Sequence, residues 1–460
     1  MYSYNEVVVK LLSKGIGSPL CFTKIYYRKV VIPMQNCLFI GVDVALKGNQ
    51  FCVMNFDQHI YFNLKFPNNP EGNEMVINKI KDIEDKFFFE KVIIVMESTG
   101  MYSFHPACYF SSNEYLNNYH TEVYQINACD FDKYKKSFHD LEKEDGIDAY
   151  VLADFARVGR TKGLYPFKGS QYIALQRLTR QRYHICKELI REKTYILTNL
   201  YLSFSGLMSL NKNEMPFSDL FGATSSAFLE EFESPDQIAE SSVEELINFI
   251  SEKSKNHSSN LDGKVTVLNK AMRASYRLDQ TAYEPINIAI ACSLNTIKFY
   301  QQQLKNIDKA ILSTALGLDS NTYNILLSIR GIGKVYAAGI MAEIGNIERF
   351  PHNSKLAKYS GLYWKRNQSG EFDSQDKKAS KKSNKYLRYY LVEATASCVR
   401  QNFPFIKDYY NLKYNEVTKH QHKRALVLSA RKLERLIFGL LRKNQYYKPI
   451  NSVQYSKNNL

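Results

Sequence analysis

Short apolar runs separated by polar turns predict an α/β domain over residues 38–158. Residues 38–44 and 92–97 are almost continuously apolar, which is typical of strands that are buried on both faces of a sheet. Three strands, one helix and then alternating strands and helices predict a mixed sheet with helices on its faces. Further strands are expected over residues 50–56, 60–66 and 122–126, and helices over residues 71–85, 131–139 and 145–158.

Apolar residues at near-heptad spacing predict two long helices in the middle of the chain. The first covers residues 172–205, and the second starts at Pro285, a residue type favoured in the first turn of a helix. Two such stripes predict a helical hairpin or coiled coil, either within one chain or between copies. The residues between them, 206–284, are rich in Ser, Asn and Glu and predict an inserted helical cap. The stripes are Leu175, Leu178, Ile185, Leu189 and Ile196, and Ile290, Ile297, Leu304 and Ile311.

A second compact, mainly α-helical region is predicted over residues 320–445. Two apolar helices meet at Gly331-Ile332-Gly333, a pattern that resembles a helix-hairpin-helix. Glycine turns of this kind let backbone N–H groups at a helix N-terminus face a phosphate. A basic loop over residues 377–385 and helices near residues 386–400 and 424–441 follow.

The two ends of the chain differ from the rest. Residues 1–33 lack a periodic element and are too irregular for a signal peptide, and Met34 stands just before the first strand. We therefore expect residues 1–33 to be a dispensable or misannotated extension. The predicted domains are then residues 34–160, residues 161–319 with the cap at 206–284, and residues 320–445, followed by a flexible tail at 446–460.

The net charge and the cysteine pattern limit the kinds of binding partner and the cellular compartment that fit this chain. The chain has 460 residues and a formal net charge of +15, which favours a polyanionic partner because neutralised phosphates release counterions. No apolar run approaches the roughly 20 residues that span a bilayer, so no membrane partner is expected. The eight cysteines are scattered without a C-x-x-C pair, which argues against a zinc ribbon or a disulfide framework and favours a reducing cytoplasm.

Four carboxylates carry the candidate chemistry. Asp43 and Glu97 each end a predicted buried strand, and Asp145 and Asp148 lie three residues apart on one helix face. Buried acids are costly unless they are paired or bind metal, so this set predicts a Mg²⁺ site. In a basic chain, the natural ligand of that metal is a nucleic-acid phosphate. Asp154 points away from this face and is predicted to be a solvated surface charge.

The acidic motifs and the C-terminal region together resemble DEDD-type insertion-sequence transposases related to Piv invertases, the IS110 family. The resemblance covers about residues 38–160 and 320–400, in the same order. It implies a RuvC-like, RNase H-type domain carrying the four acids, a second transposase domain with a nucleophilic serine, and guidance by a structured noncoding RNA. The matching motifs are Gly41-Val42-Asp43, Glu97-Ser98-Thr99-Gly100, Asp145-Gly146-Ile147-Asp148, Arg330-Gly331-Ile332-Gly333, the block from Phe350 to Gly361-Leu362, Gln368-Ser369-Gly370, and the basic block Ser380-Lys381-Lys382-Ser383-Asn384 with Leu387-Arg388.

The resemblance makes Ser369 the candidate nucleophile. A serine hydroxyl is a poor nucleophile unless a base or metal activates it, and no histidine is nearby in sequence. Ser360, Ser374 and Ser380 are competing candidates. The chain also departs from the family pattern after Gly361-Leu362, at Ser383, and in the acidic loop that follows Gly370.

Basic residues near these motifs are candidates for contacts with nucleic-acid phosphates. A solvated charged loop is the ordinary alternative for the basic loop, and flanks of a coiled coil for the arginines of the first long helix. The candidates are Arg177, Arg180, Gly331, Gly333, Lys334, Arg366, Lys381, Lys382, Lys385 and Arg388.

The sequence thus predicts a cytoplasmic bacterial transposase that uses Mg²⁺ and a serine to exchange DNA strands. Its expected partners are double-stranded donor and target DNA, a guide RNA and further copies of itself as a homodimer or homotetramer. A RuvC-like nuclease without a covalent intermediate is one alternative. A non-catalytic nucleic-acid-binding protein on the same scaffold is another.

Overall fold

The computed structural model describes residues 33–98, 100–138, 146–167, 169–255, 257, 259–364, 368–369, 372–373 and 383–449. The chain divides after Gly169 into two compact units. The five-stranded sheet belongs to the first unit, and the second is mainly helical. In these ranges, no helix is long and apolar enough to cross a membrane.

The first unit is built on a mixed sheet in the strand order β3-β2-β1-β4-β5. β1, β2 and β3 are antiparallel neighbours, whereas β4 and β5 continue the sheet in parallel with β1. The predicted strands are therefore present, and the order places β1 next to β4 although two strands and a helix separate them in sequence. The strands are β1 (Cys37–Val44), β2 (Gly48–Met54), β3 (Ile60–Pro67), β4 (Lys91–Glu97) and β5 (Glu122–Ile126).

Helices cover both faces of this sheet because side chains alternate along each buried strand. The even-numbered residues of β1, such as Leu38 and Ile40, pack with the first two helices, and the odd-numbered residues, such as Phe39, pack with the next two. The helices are α1 (Pro70–Glu84) and α2 (Phe104–Ser112) on one face, and α3 (Ala128–Lys135) and α4 (Ile147–Arg157) on the other.

The second unit contains two long helices that pack against each other, α5 (Ile173–Ser203) and α11 (Gln280–Leu327). The prediction that the second long helix starts at Pro285 is wrong, since Pro285 lies inside α11. A break in α11 at Asp319 falls next to the predicted boundary at residue 320. The backbone of Asp319 is non-helical there, with φ −158° and ψ 86°, and its carboxylate accepts a 2.9 Å hydrogen bond from the Thr322 N–H.

The predicted cap is helical and has its own core. Ile196 of α5 and Ile290 and Ile297 of α11 are buried in this core, together with residues of the cap helices. The heptad stripes therefore meet within one chain. The cap helices are α6 (Ser205–Met208), α7 (Ala223–Glu231), α8 (Pro235–Glu240), α9 (Val243–Lys253) and α10 (Leu261–Arg273).

A separate core joins the end of α11 to the C-terminal helices. Tyr323 and Tyr390 are its largest fully buried side chains. A short hairpin of β6 (Gln368–Ser369) and β7 (Phe372–Asp373) lies in the connection between two of these helices. The helices are α12 (Lys334–Ile344), α13 (Asn353–Ser360), α14 (Lys385–Arg400), α15 (Pro404–Asn415) and α16 (Gln421–Lys443).

Candidate active site

Asp43 and Glu97 lie at the ends of two neighbouring parallel strands. Val42 of β1 pairs with Met96 of β4, so the two acids occupy the next position of each strand. The odd-numbered apolar residues of both strands pack on the core beneath α4. Because side chains two residues apart share a face of a sheet, both acids project towards the side that carries α4.

A close crossing of helix and strand brings Asp148 to the same edge. A Cβ atom on Gly41 would lie 1.9 Å from the carbonyl oxygen of Ala149 and 2.3 Å from the backbone nitrogen of Ala153. Only glycine therefore lets the backbone of α4 rest directly on β1. Asp148 precedes Ala149 in the first turn of α4, and Asp43 lies two residues beyond Gly41.

The start of α4 is also tied to the neighbouring strands by side-chain amides. The Asn63 Nδ2 donates a 3.2 Å hydrogen bond to the Gly146 carbonyl, and the Asn63 Oδ1 accepts a 2.8 Å bond from the Gln50 amide. Gln50 is the residue that pairs with Asp43 across β1 and β2. This polar chain links the strand position of Asp43 to the helix start that carries Asp148.

Negative charge accumulates where these acids meet. Desolvation raises the pKa of the Asp43 carboxyl, and the charges of Asp148 and Glu97 raise it further. The Lys135 ammonium, at the end of α3, forms an ion pair with Asp148 and acts on Asp43 in the opposite direction. Effects of this kind require charges within electrostatic reach, so Asp148 and Glu97 both lie near enough to Asp43 to act on it, and we call these three residues the acidic cluster.

The chemistry of this cluster fits a hard divalent cation. Carboxylate oxygens are the ligands that Mg²⁺ prefers, and a cation would relieve the repulsion among Asp43, Glu97 and Asp148. In the ranges described above, no group of three or more His, Cys, Asp or Glu side chains is placed so that it could hold a metal ion. Asp145, the fourth predicted ligand, lies outside those ranges. The four-acid site as a whole therefore stays a prediction.

Asp154 is not a solvated surface charge, and that prediction is wrong. The residue is only 4% exposed. One carboxylate oxygen accepts a 2.5 Å hydrogen bond from the Tyr134 hydroxyl, and the other accepts a 2.8 Å bond from Arg157 Nε. Arg157 also donates to the Phe56 carbonyl at 3.3 Å. Asp154 thus joins α4 to α3 and, through Arg157, to the turn after β2.

The glycine turn between α11 and α12 exposes a helix N-terminus. Gly331 has φ +97°, and a Cβ atom there would lie 2.5 Å from the Cα of Cys398. Gly333 is the N-cap of α12, and Lys334 is the first residue of that helix. Gly333 and Lys334 are exposed, as a phosphate-binding helix start requires, whereas Gly331 is buried and serves the turn.

Ser369 lies in the β6–β7 hairpin, where it pairs with Phe372. Its side chain is outside the described part of the structure, as are the predicted basic residues Arg366, Lys381 and Lys382 and the competing serines Ser374 and Ser380. Ser360, the remaining competitor, is fully buried, and its hydroxyl donates to the Ala357 carbonyl at 3.1 Å. An enclosed hydroxyl of this kind cannot reach a DNA phosphate.

The connection that carries Ser369 is fastened where it leaves and re-enters the helices. The Asn384 N–H donates a 2.7 Å hydrogen bond to the Tyr359 carbonyl, and the Arg388 Nε donates to the Ser360 carbonyl at 3.3 Å. The Arg388 guanidinium also bonds to the Ser383 hydroxyl. Arg388, predicted to bind nucleic acid, therefore joins the end of α13 to the start of α14.

A buried carboxylate missed by the sequence analysis organises the same region. Glu343 is fully buried and forms a bidentate ion pair with Arg180, at 2.8 and 2.9 Å. It also accepts a 2.7 Å hydrogen bond from the Asn384 side chain, which caps α14. A lone acid in the otherwise apolar helix α12 was the available signal. Arg180 thus uses its guanidinium inside the unit, whereas Arg177 and Lys385 are exposed.

Comparison with known proteins gives two separate family matches. A family model of DEDD transposases of the IS110 type, described as "Transposase", matches residues 40–205. A second, described as "Transposase IS116/IS110/IS902 family", matches residues 323–411. The "Insertion element IS116 uncharacterized 44.8 kDa protein" of Streptomyces clavuligerus is 23% identical over 310 residues, which cover 67% of this chain and 73% of that protein.

The two matches contain the two sets of motifs in the expected order. Asp43, Glu97 and Asp148 fall within the first, and the glycine turn, Ser369 and Asn384 fall within the second. By its match to the first family model, the mixed α/β unit is RuvC-like. The chain therefore belongs to the IS110/IS116 family of transposases.

Proposed function

We propose that this transposase cuts and exchanges DNA strands with Mg²⁺ held by Asp43, Glu97, Asp145 and Asp148 and with Ser369 as the nucleophile. The observation that supports it most directly is that Asp43, at the end of β1, lies within electrostatic reach of both Glu97 at the end of β4 and Asp148 in the first turn of α4. When bound, the metal would polarise a phosphate oxygen and neutralise the charge that develops during displacement.

The covalent step uses the serine hydroxyl. The Ser369 oxygen forms a phosphoester bond with the target phosphorus while the bond from phosphorus to one deoxyribose oxygen breaks. The serine proton passes to solvent, and the leaving oxygen takes up a proton to become a free DNA hydroxyl. Attack by that hydroxyl or one from another strand on the phosphoserine link reverses the step and releases the serine. Each step forms one phosphoester bond as it breaks another, so strand exchange needs no external energy source.

A trapped covalent adduct tests the mechanism. Ser369→Ala should lose both the protein–DNA adduct and recombination. It should still bind DNA, because binding depends mainly on phosphate contacts that this substitution leaves in place. Ser380→Ala serves as the matched control in the same connection. Mass spectrometry of the nuclease-digested adduct would locate the modified residue. Normal recombination by Ser369→Ala would refute the serine mechanism and favour attack by metal-bound water.

Guidance by a structured RNA belongs to the same proposal. The net charge of +15 and the exposed basic residues Arg177, Lys334 and Lys385 support an extended polyanionic partner in addition to the cut DNA. Sequencing of RNA that copurifies with the full chain would test this. Recovery of one structured species encoded beside the gene is expected, whereas a random sample of cellular RNA would contradict guidance.

Strand exchange between two duplexes also calls for more than one copy of the chain. Since Ile297 is buried in the chain's own core, an assembly contact has to use other residues. Ile190, Leu197 and Tyr201 of α5 are 58%, 36% and 51% exposed and recur at coiled-coil spacing. Sedimentation of Ile190→Asp/Leu197→Asp tests whether this stripe joins copies. A folded double variant with the wild-type mass would exclude it.

A further inference from the structure

In the described part of the chain, a lysine contacts one member of the acidic cluster. Lys135 is the last residue of α3, and its ammonium forms an ion pair with Asp148, the acid in the first turn of α4. The two side chains are 41% and 36% exposed, so the pair is open to solvent on one side. Sequence patterns did not single out Lys135, because it is one of three lysines within four residues, at 133, 135 and 136.

The neighbouring cations are differently placed. Lys133 pairs with Asp130 on its own helix, and Arg157 is engaged by Asp154. Lys136 is exposed, and the ion pairs found among the described residues do not include it. Of the charges that act on Asp43 in this part of the chain, Lys135 is the positive one, and Asp148 and Glu97 are the negative ones. Lys135 therefore faces the acids that the proposed function assigns to Mg²⁺.

We propose that Lys135 is a built-in counter-ion that competes with the divalent cation for Asp148. The inference rests on the proposed metal site and adds a control on its occupancy. Without metal, the ammonium offsets the repulsion among the acids and keeps Asp148 beside β1. Metal binding has to displace it, because a carboxylate that coordinates a divalent cation gives up much of its attraction for a second cation. The displaced ammonium is then free to contact a DNA phosphate.

Direct metal titration of the full chain tests this role without measuring catalysis. We would follow Mn²⁺ binding by EPR at low salt, where electrostatic effects are least screened, for wild type, Lys135→Gln and Lys136→Gln. Loss of one positive charge next to the ligands should tighten Mn²⁺ binding by Lys135→Gln roughly tenfold. Lys136→Gln removes the same charge one residue away and should bind as wild type does. Lys135→Arg keeps the charge and should also stay close to wild type.

Thermal melting gives a second readout that shows whether the variant is folded. In EDTA, Lys135→Gln should melt below wild type, because the acids then repel one another without a counter-ion. Added Mg²⁺ should raise its Tm by more than it raises that of wild type, since a ligand stabilises the folded state according to its affinity. A purely structural ion pair would lower the Tm without tightening metal binding.

The outcomes separate the inference from the function on which it rests. Unchanged or weaker Mn²⁺ affinity in a folded Lys135→Gln variant, with metal bound by wild type, would overturn the counter-ion role alone. Equal tightening in Lys136→Gln would also overturn it, since a general charge effect would then explain the result. Absence of Mn²⁺ binding by every variant would overturn the inference together with the proposed metal site.

Discussion

Replacement of Gly41 by alanine is expected to displace Asp148 by changing how α4 rests on β1. The new Cβ atom would lie 1.9 Å from the Ala149 oxygen and 2.3 Å from the Ala153 nitrogen. Both are backbone atoms, so no side-chain rotation can relieve the clash. Because real Cβ contacts essentially never fall below 3.0 Å, the helix has to move away by at least the difference from 1.9 Å, about 1.1 Å.

The expected loss is larger for catalysis than for stability. Overpacking of a core costs about 1–3 kcal/mol of unfolding free energy. In a unit of this size, each kcal/mol lowers the Tm by roughly 2–4 °C. A misplacement of about 1 Å can lower a catalytic rate roughly 100-fold, because reacting groups must be held in near-attack geometry. A folded Gly41→Ala protein should therefore be almost inactive at a temperature where most of it is native.

The assay measures strand cleavage by purified protein on DNA from the element's ends, with any copurified RNA, next to calorimetric melting. Gly48→Ala is the matched control in the same sheet. Its Cβ would lie 3.2 Å from the Phe66 oxygen and 3.3 Å from Lys65 Cε, distances that small adjustments can accommodate. Wild-type cleavage by folded Gly41→Ala would refute the role assigned to the crossing. An equal loss in Gly48→Ala would show that the sheet tolerates no added methyl group.

Three further substitutions test contacts that the structure adds to the sequence patterns. Asp154→Asn should lower the unfolding free energy by about 1–3 kcal/mol, since its buried hydrogen bonds lose a charged acceptor; urea unfolding identical to that of wild type would contradict this. Arg180→Ala should lower the unfolding free energy by about 3–5 kcal/mol because it leaves Glu343 charged and buried. Nucleic-acid binding per folded molecule should persist. Ile297→Asp should unfold the cap, because Ile297 is 1% exposed and the substitution buries a charge. A variant that stays folded but sediments as a smaller assembly would instead show that Ile297 packs between copies of the chain.

The sheet and the two strand-borne acids were predictable because their signals are local. An apolar run of strand length that ends in an acid specifies both a buried strand and a polar side chain at its edge. The parallel pairing of β1 with β4 then follows from a crossover connection, and the acids meet at the carboxyl ends of the strands. None of these steps needs knowledge of side chains that are distant in sequence.

The environment of Asp154 could not be predicted from helix periodicity. A period of 3.6 residues shows which side chains share a face, but it does not show how many faces of the helix are covered. In α4, one face rests on β1, and Tyr134 of α3 reaches Asp154 on another. Helix periodicity alone therefore predicts that a charged residue on the second face is exposed to solvent, because it does not reveal the contact with the preceding helix. The same argument applies to Arg180, whose partner Glu343 is 163 residues away.

The heptad stripes illustrate a different limit. Their spacing predicted that α5 and α11 each present an apolar face, and both faces are buried. Spacing alone does not identify what covers such a face, because a coiled-coil seam satisfies the same pattern within a chain or between copies. In this chain, the cap helices and the partner helix supply the cover for Ile196, Ile290 and Ile297. Among the residues that the structure describes, the exposed apolar residues Ile190, Leu197 and Tyr201 of α5 are not part of this core.

The two sets of candidate catalytic residues are held by different physical devices. The acids depend on one glycine, because Gly41 lets a helix backbone approach a strand closely enough for Asp148 to join Asp43. The connection that carries Ser369 depends instead on hydrogen bonds that fasten its ends, centred on Asn384. Close packing at Gly41 fixes the helix start that carries Asp148 against the strand that carries Asp43. In the proposed reaction the acids have to keep their spacing, so a substitution that disturbs the packing at Gly41 should impair the acidic site, whereas one at Asn384 should act on the connection that carries Ser369.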